Sequence, residues 1–234
     1  MSKLVRAIGI DPGTVSFDVC GLEGDQVFLD ETVPTDALAS QPRVLVDLLE
    51  EAGPVDAIVG PSGYGLPWVS IEELDPQQES LLLLSRKRES GEETIIGGMD
   101  RVLDLLRESG LPILVAPGVI HLTTVPNHRK VNRIDMGTAD KVCAVALGVY
   151  DQARRLDVPY DETSFLTIEL GGAFSAIIAV ENGTIVDGMG GTSGPPGYTA
   201  SGAVDGEVAY LLGDFPKGTL SSGGVAYVAG DPEA

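Results

Sequence analysis

Basic residues are scarce. The 234 residues hold 15 Lys and Arg against 35 Asp and Glu, a formal net charge of −20. That balance works against long-range attraction to DNA, RNA or anionic lipid, so neither nucleic acid nor a membrane is expected as a partner. Only five of the fifteen bases are lysine. A high-salt cytoplasm tolerates such an acid-rich, lysine-poor surface because salt screens its self-repulsion, although an ordinary acidic protein shows the same bias. The salt-adapted reading predicts a melting temperature that rises from low to molar KCl, since screening tightens from about 10 Å at 0.1 M to about 3 Å at 1 M. A calorimetric melting point that stays flat or falls over that range overturns it. Cysteine is almost absent: Cys20 lies in a strand pattern and Cys143 in a helix pattern, without CxxC spacing. Both read as reduced core thiols, not as a disulfide or a metal site. No run of about 18 apolar residues occurs, and the first residues lack the basic and apolar regions of a signal peptide, so the chain reads as cytoplasmic.

What the chain does have is one pattern twice. Val5-Arg6-Ala7-Ile8-Gly9-Ile10-Asp11-Pro12-Gly13-Thr14 opens it, and Phe165-Leu166-Thr167-Ile168-Glu169-Leu170-Gly171-Gly172 repeats the acid and the glycine 158 positions later. Each copy runs an apolar strand into an acid, a spacer and a glycine, then resumes as a second strand. Glycine lets backbone N–H groups approach an anion closely, and a carboxylate at a strand end can hold a hydrated cation. Two such turns suit the phosphates of a nucleotide bound with Mg²⁺.

Around these turns the pattern predicts a three-strand meander over 4–33 (Leu4–Ile10, Phe17–Leu22, Gln26–Val33), with Glu23-Gly24-Asp25 as the tight turn. A helix follows over about 41–52, then a strand at Val55–Val59, a loop over Ser62–Pro67, a helix over about 99–109 and a strand at Pro112–Ala116. Alternation of strand and helix predicts an α/β fold, a mixed five-stranded sheet with helices on its faces. Residues 120–136 have no clean period and hold both histidines and three bases, a basic cluster in a chain poor in them. Thr138 reads as the N-cap of a strong helix that runs to about Arg155. A second meander spans about 164–189, then come a Gly-rich loop over Gly188–Tyr198, a short helix near 202–212 and an apolar run at Gly223–Val228.

Several of these features have a plain structural reading beside a functional one. Asp-Pro-Gly favours an ordinary hairpin turn, and Glu169 could be a surface acid. Recurrence of the pattern favours a phosphate site. Arg129 and Lys130 suit either an anionic ligand or a loop that balances nearby acids. Asp135 and Asp140 stand near a helix start, where a carboxylate is favourable without any task. His121 and His128 lack metal-ligand spacing and read as structural. Ser62–Pro67 is a candidate acceptor contact, and Gly188–Tyr198 a candidate lid with glycine hinges.

Asp11-Pro12-Gly13-Thr14-Val15-Ser16 and Glu169-Leu170-Gly171-Gly172, each with its meander, resemble the two phosphate motifs of the actin, heat-shock ATPase and sugar kinase superfamily. Within it, Val125-Pro126-Asn127-His128-Arg129-Lys130 and Ile134-Asp135-Met136-Gly137-Thr138-Ala139-Asp140-Lys141 resemble the archaeal predicted butyrate kinase family, formerly a domain of unknown function. The resemblance spans nearly all of the chain. It implies a duplicated ribonuclease H-like fold, an N-terminal half over 1–160 and the start of a second half over 161–234, with ATP and Mg²⁺ bound between related halves. Asp11 would hold Mg²⁺ through water, Gly13, Thr14 and Ser16 would approach the β/γ-phosphates, Glu169 would complete the cation shell, and Gly171 and Gly172 would lie at the phosphates. Asp140 and Asp135 would orient an acceptor or metal as catalytic residues, with Arg129 and Lys130 beside them. Some 45 residues follow Met189, so the second half reads as shortened, with Ser221-Ser222-Gly223-Gly224 as the beginning or a remnant of an adenosine-binding turn.

The implied activity is an ATP- and Mg²⁺-dependent phosphotransferase acting on a small-molecule acceptor, a short carboxylic acid such as butyrate; a homodimer is compatible with the sequence. The same motifs serve an ATPase whose nucleotide state is read by a partner protein, and dependence of turnover on a small molecule separates the two. A resolvase-like nuclease shares Gly9–Thr14 but needs an extended basic surface.

Overall fold

The computed structural model describes residues 4–13, 15–84 and 95–230. They form two compact units, Met1–Ala116 and Pro117–Ala234. The division thus falls at 116/117 and not at the expected 160/161, because the long helix expected in the first half packs on the strands of the second unit.

The first unit opens with the meander that the alternation predicts: β1 (Arg6–Pro12), β2 (Ser16–Glu23) and β3 (Gln26–Pro34). Then come α1 (Thr35–Ser40), α2 (Arg43–Glu51), β4 (Ala57–Val59), β5 (Val69–Ser70), α3 (Pro76–Leu83), α4 (Ile95–Glu108) and β6 (Ile113–Val115). The sheet order is β3-β2-β1-β4-β6-β5. β4 joins β1 in parallel, β6 joins β4 in parallel, and β5 closes the edge antiparallel. The five expected strands are present, and the two-residue β5 makes a sixth, too short to leave a periodic signal. Leu45, Val46 and Leu49 of α2 and Val102, Leu103 and Leu106 of α4 are buried in one core with Ile8, Ile10, Phe17 and Val19 of the sheet. In the loop over Ser62–Pro67, Ser62 is buried and its hydroxyl accepts the Ala116 N–H at 2.9 Å, so that side chain is taken up by the fold.

The second unit runs from a 3-10 turn at Val119–His121 through α5 (Asn127–Lys130), α6 (Ala139–Leu156), β7 (Phe165–Leu170), β8 (Ser175–Glu181), β9 (Thr184–Met189), α7 (Gly206–Leu212) and α8 (Val225–Ala229). The strands form a three-stranded antiparallel sheet in the order β7-β8-β9. Val145 of α6 is buried with Val119, Val125, Met136, Ile178 and Val180.

Duplication extends to single residue pairs. Ile10↔Val19, Asp11↔Asp18 and Pro12↔Phe17 in the first meander become Ile168↔Ile177, Glu169↔Ala176 and Leu170↔Ser175 in the second. Both carry a register shift at the same place, Gly21/Leu22 and Ala179/Val180. Both turn back over two residues, between Glu23↔Gln26 and between Glu181↔Thr184.

The two copies differ in which face is covered. In the first sheet the helices lie over Ile8 and Ile10, which are 1% and 7% exposed. Their counterparts Leu166 and Ile168 are 66% and 62% exposed, because α6 packs on the other face, toward Phe165, Ile178 and Val180. The strand-end acids therefore meet different surroundings. Asp11 stands on an exposed face, and Glu169 stands on the face that α6 covers. The cysteine reading is corrected too: neither Cys20 nor Cys143 is in a disulfide, as expected, but both are exposed and not in the core. Cys20 shares the uncovered face of the first sheet with Asp11.

Candidate functional site

The same contact bears on both glycine turns, prohibitive for a side chain in the first and tight in the second. A Cβ on Gly13 would stand 2.6 Å from the Ser16 carbonyl oxygen, and one on Gly171 would stand 3.1 Å from the Phe174 carbonyl oxygen, the equivalent atom. The Gly13 N–H donates to Asp11 O (3.1 Å) and the Thr35 hydroxyl donates to Gly13 O (3.2 Å), so the first turn is fastened to α1. The Gly171 N–H donates to Phe174 O (2.9 Å). Around Gly172 a Cβ would meet nothing within 4 Å, which leaves its backbone approachable by an anion. Ser16 is half-buried at the start of β2. Thr14 lies outside the described residues.

Glu169 and Asp140 come together through a residue to which the sequence reading gave no role. Lys141 pairs with Asp140 and lies 2.5 Å from Glu169 Oε1. The other Asp140 oxygen accepts the Thr138 hydroxyl. Thr138 is the N-cap residue, as expected, but its side chain turns to Asp140 and caps no backbone N–H. Burial opposes charge on Lys141, yet Asp140 and Glu169 outweigh it and raise the lysine pKa above its ordinary value. One signal could have found it: a lysine beside an acid at a helix start, in a chain with five lysines.

Asp135 is buried and its carboxylate holds three donors. Its Oδ1 accepts the Gly137 N–H (3.1 Å), and Oδ2 accepts both the N–H and the hydroxyl of Thr192 (3.0 and 3.1 Å). Ser193 bonds its carbonyl. The carboxylate thus latches the loop over 190–193, which corrects the lid reading. Gly190 is there because a Cβ would overlap Asp135 Oδ1. Close backbone packing uses these glycines, and none of them is needed as a hinge.

The basic cluster divides. Arg129 donates to Val186 O (2.8 Å) and pairs with Asp187 at 3.7 Å, bracing α5 on β9. Lys130 donates to Leu122 O (2.7 Å). Neither base is presented to an anion. Arg133 differs: its Nη1 is buried and has no hydrogen-bond partner among the described residues. A buried guanidinium N–H without an acceptor is costly, and an oxyanion would satisfy it.

His121 is structural, as expected. Its Nδ1 accepts the Gly118 N–H at 3.2 Å. Burial, aided by the Lys130 charge, lowers its pKa from the ordinary 6.5. A lowered folded pKa means that the neutral ring's contribution is fully present above about pH 6.5 and is lost as pH falls through the folded value. Denaturant midpoints measured against pH should therefore fall more steeply below about pH 6.5 in the wild type than in His121→Ala.

Carboxylate donors at strand ends suit Mg²⁺, and a cation is already drawn to one of them, Glu169. Among the described residues no three His, Cys, Asp or Glu side chains converge. Each turn therefore offers a single acid, and phosphate and water would fill the rest of a metal's shell.

Solved structures similar to this chain include the acetate kinase of Porphyromonas gingivalis, with a TM-score of 0.54 and 17% identity over 97% of this chain and 70% of that one. The acetate kinase from Entamoeba histolytica gives a TM-score of 0.57 and 12% identity over 97% and 68%. A propionate kinase from Francisella tularensis gives 0.58 and 14% over 97% and 71%. At these identities the likeness carries the fold, a duplicated α/β actin-like ATPase fold. No curated protein sequence matches the chain. Among the described residues no helix is long and apolar enough to cross a membrane. A family model described as a protein of unknown function, DUF1464, matches residues 9–234, and the chain belongs to that family.

Proposed function

We propose that the protein is an ATP- and Mg²⁺-dependent phosphotransferase whose acceptor is a short carboxylic acid. One observation carries the reading: the strand, acid, spacer and glycine pattern recurs with identical strand register, and each glycine is pressed on the carbonyl three residues later. Such repetition keeps two backbone N–H turns, each with a strand-end acid, which is what a nucleotide's phosphates and their metal require. When bound, Mg²⁺·ATP supplies the phosphoryl group and part of the charge neutralisation. Each unit supplies one turn: Asp11 with Gly13 and Ser16 in the first and Glu169 with Gly171 and Gly172 in the second, the acid suited to the metal and the glycine turn to a phosphate. Thr14, outside the described residues, belongs to the first turn by sequence. The choice of acceptor draws on the acetate and propionate kinases that share the fold and on the orphaned Arg133 Nη1, a donor suited to a carboxylate.

Release of ADP from ATP·Mg²⁺, measured with and without acetate, propionate or butyrate, tests the reading. At least one acid should stimulate turnover, and Arg133→Ala should lower that stimulated rate by at least about tenfold, roughly 1.4 kcal/mol of barrier, without weakening ATP binding. Turnover that no acid stimulates would favour the second reading, an ATPase whose nucleotide state is read by a partner. One observation leans that way: Arg129 and Lys130, expected on the acceptor side, are bound to the protein's own carbonyls.

A further inference from the structure

The Lys141 ammonium sits where the proposed function needs a metal. It is held by two carboxylates from different elements, Asp140 in the first turn of α6 and Glu169 near the end of β7. The three side chains are 21%, 23% and 35% exposed, in the order Lys141, Asp140 and Glu169. Asp140 is tied into the helix start by Thr138 as well, so it stays in place whatever Lys141 does. The Lys141–Glu169 contact is an ion-pair link between helix and strand, beside the apolar packing of α6 on Phe165.

We propose that Lys141 is a resident counter-ion that Mg²⁺ displaces from Glu169, with Asp140 keeping the lysine tethered so that its ammonium turns toward the phosphates beside Gly172. The proposal rests on the reading of Glu169 as a metal ligand. A dication cannot share one carboxylate with an ammonium 2.5 Å away without like-charge repulsion in a partly desolvated place. The flexible four-carbon stem of lysine can carry the charge elsewhere, and a phosphate next to an approachable glycine is its natural destination. On this view Asp140 is a positioning residue for Lys141. Ligand-free protein avoids two unpaired carboxylates, and metal binds well only when phosphates are present to receive the lysine.

The arrangement makes a prediction that needs neither nucleotide nor acceptor. With the ammonium removed, Asp140 and Glu169 are two like charges within ion-pair reach of one point, and a divalent cation is what stabilises them. Mn²⁺ alone, titrated by electron paramagnetic resonance at fixed KCl, is the probe. Lys141→Met should bind Mn²⁺ at least about tenfold more tightly than the wild type, a change on the scale that altered partners of metal ligands produce. Lys141→Gln is the second variant, uncharged but still able to donate to Asp140; whichever of the two folds, judged by circular dichroism, must show the gain. Lys141→Arg, which keeps the charge, should not. The double variant Lys141→Met/Glu169→Gln should lose the gain, which separates it from diffuse Mn²⁺ binding to an acidic surface. No tightening in the neutral variants, or a tightening that survives Glu169→Gln, overturns the proposal. Because turnover is not read, a protein without phosphotransferase activity can still show the exchange. An active phosphotransferase that shows no gain loses this proposal alone.

Discussion

Asp11→Asn and Glu169→Gln should each weaken Mg²⁺-dependent ATP binding by at least about tenfold, the scale expected when the surroundings of a metal are altered, and the double variant should abolish it. Both residues stand at strand ends and neither is buried in a core. Asp11 lies opposite Asp18, which takes the Thr32 hydroxyl at 2.6 Å, so an amide at position 11 relieves repulsion between acids and leaves the hairpin intact. Glu169→Gln gives up the pair with Lys141, but exposed or half-exposed pairs contribute only about 0–1 kcal/mol, so the unit should remain folded. Calorimetric titration of ATP with and without Mg²⁺ reads the effect directly. The metal-dependent part of the affinity should fall, and the metal-independent part should change little. Unchanged ATP·Mg²⁺ affinity in both variants would remove the paired-carboxylate reading of the two turns.

The turns were legible in the sequence because each is local. An acid, a spacer and a glycine between two apolar alternations fix a hairpin, and its repetition 158 residues later predicted strands that fold in the same register. The helices with a wide apolar face, α2, α4 and α6, were legible for the same reason. Residues 68–84 were not, although Asp75-Pro76-Gln77-Gln78 carries a start signal for α3. Asp75 Oδ1 accepts the N–H groups of Gln77 and Gln78 at 2.8 Å, and Gln78 Oε1 accepts the Asp75 N–H at 3.0 Å, a reciprocal cap with proline at the first helical position. The two residues of β5 carry no pattern at all.

What the sequence could not show is which groups are already spent. Arg129, Lys130 and Arg133 look alike as a cluster of bases, yet the fold gives the first two carbonyl partners and leaves a buried nitrogen of the third without one. Cys20 alternates like a core residue, and it is exposed because helices cover only the opposite face of its sheet. Glycine density between 188 and 198 suggests freedom, but the same residues are what close packing against Asp135 and Phe174 selects. Each of these outcomes depends on long-range packing that a local pattern does not encode.

Replacing Asp135 is where the largest loss of stability should come. Asp135→Ala removes an acceptor that serves three donors, the Gly137 N–H and the N–H and hydroxyl of Thr192. The carboxylate is 6% exposed, so water does not readily replace it. Each bond to a charged acceptor contributes about 1.5–3 kcal/mol and each buried donor left alone costs about 1–3, and the contributions are not additive; a loss of about 3 kcal/mol is expected. Asp135→Asn should cost less, about 1–2 kcal/mol, since one oxygen can still serve Thr192 while the new NH₂ faces the Gly137 N–H. Gly190→Ala should resemble Asp135→Ala, because its methyl group would overlap the same carboxylate oxygen. Urea unfolding of the three variants checks the order, and limited proteolysis should cut first within 190–198, where the latch is lost. The measurement also decides what Asp135 does. If it latches the loop, Asp135→Asn loses stability and turnover together. If it acts on the acceptor, turnover collapses while the urea midpoint stays put. The carboxylate predicts the first outcome, because it is buried and three of its roughly four acceptor positions already hold protein donors.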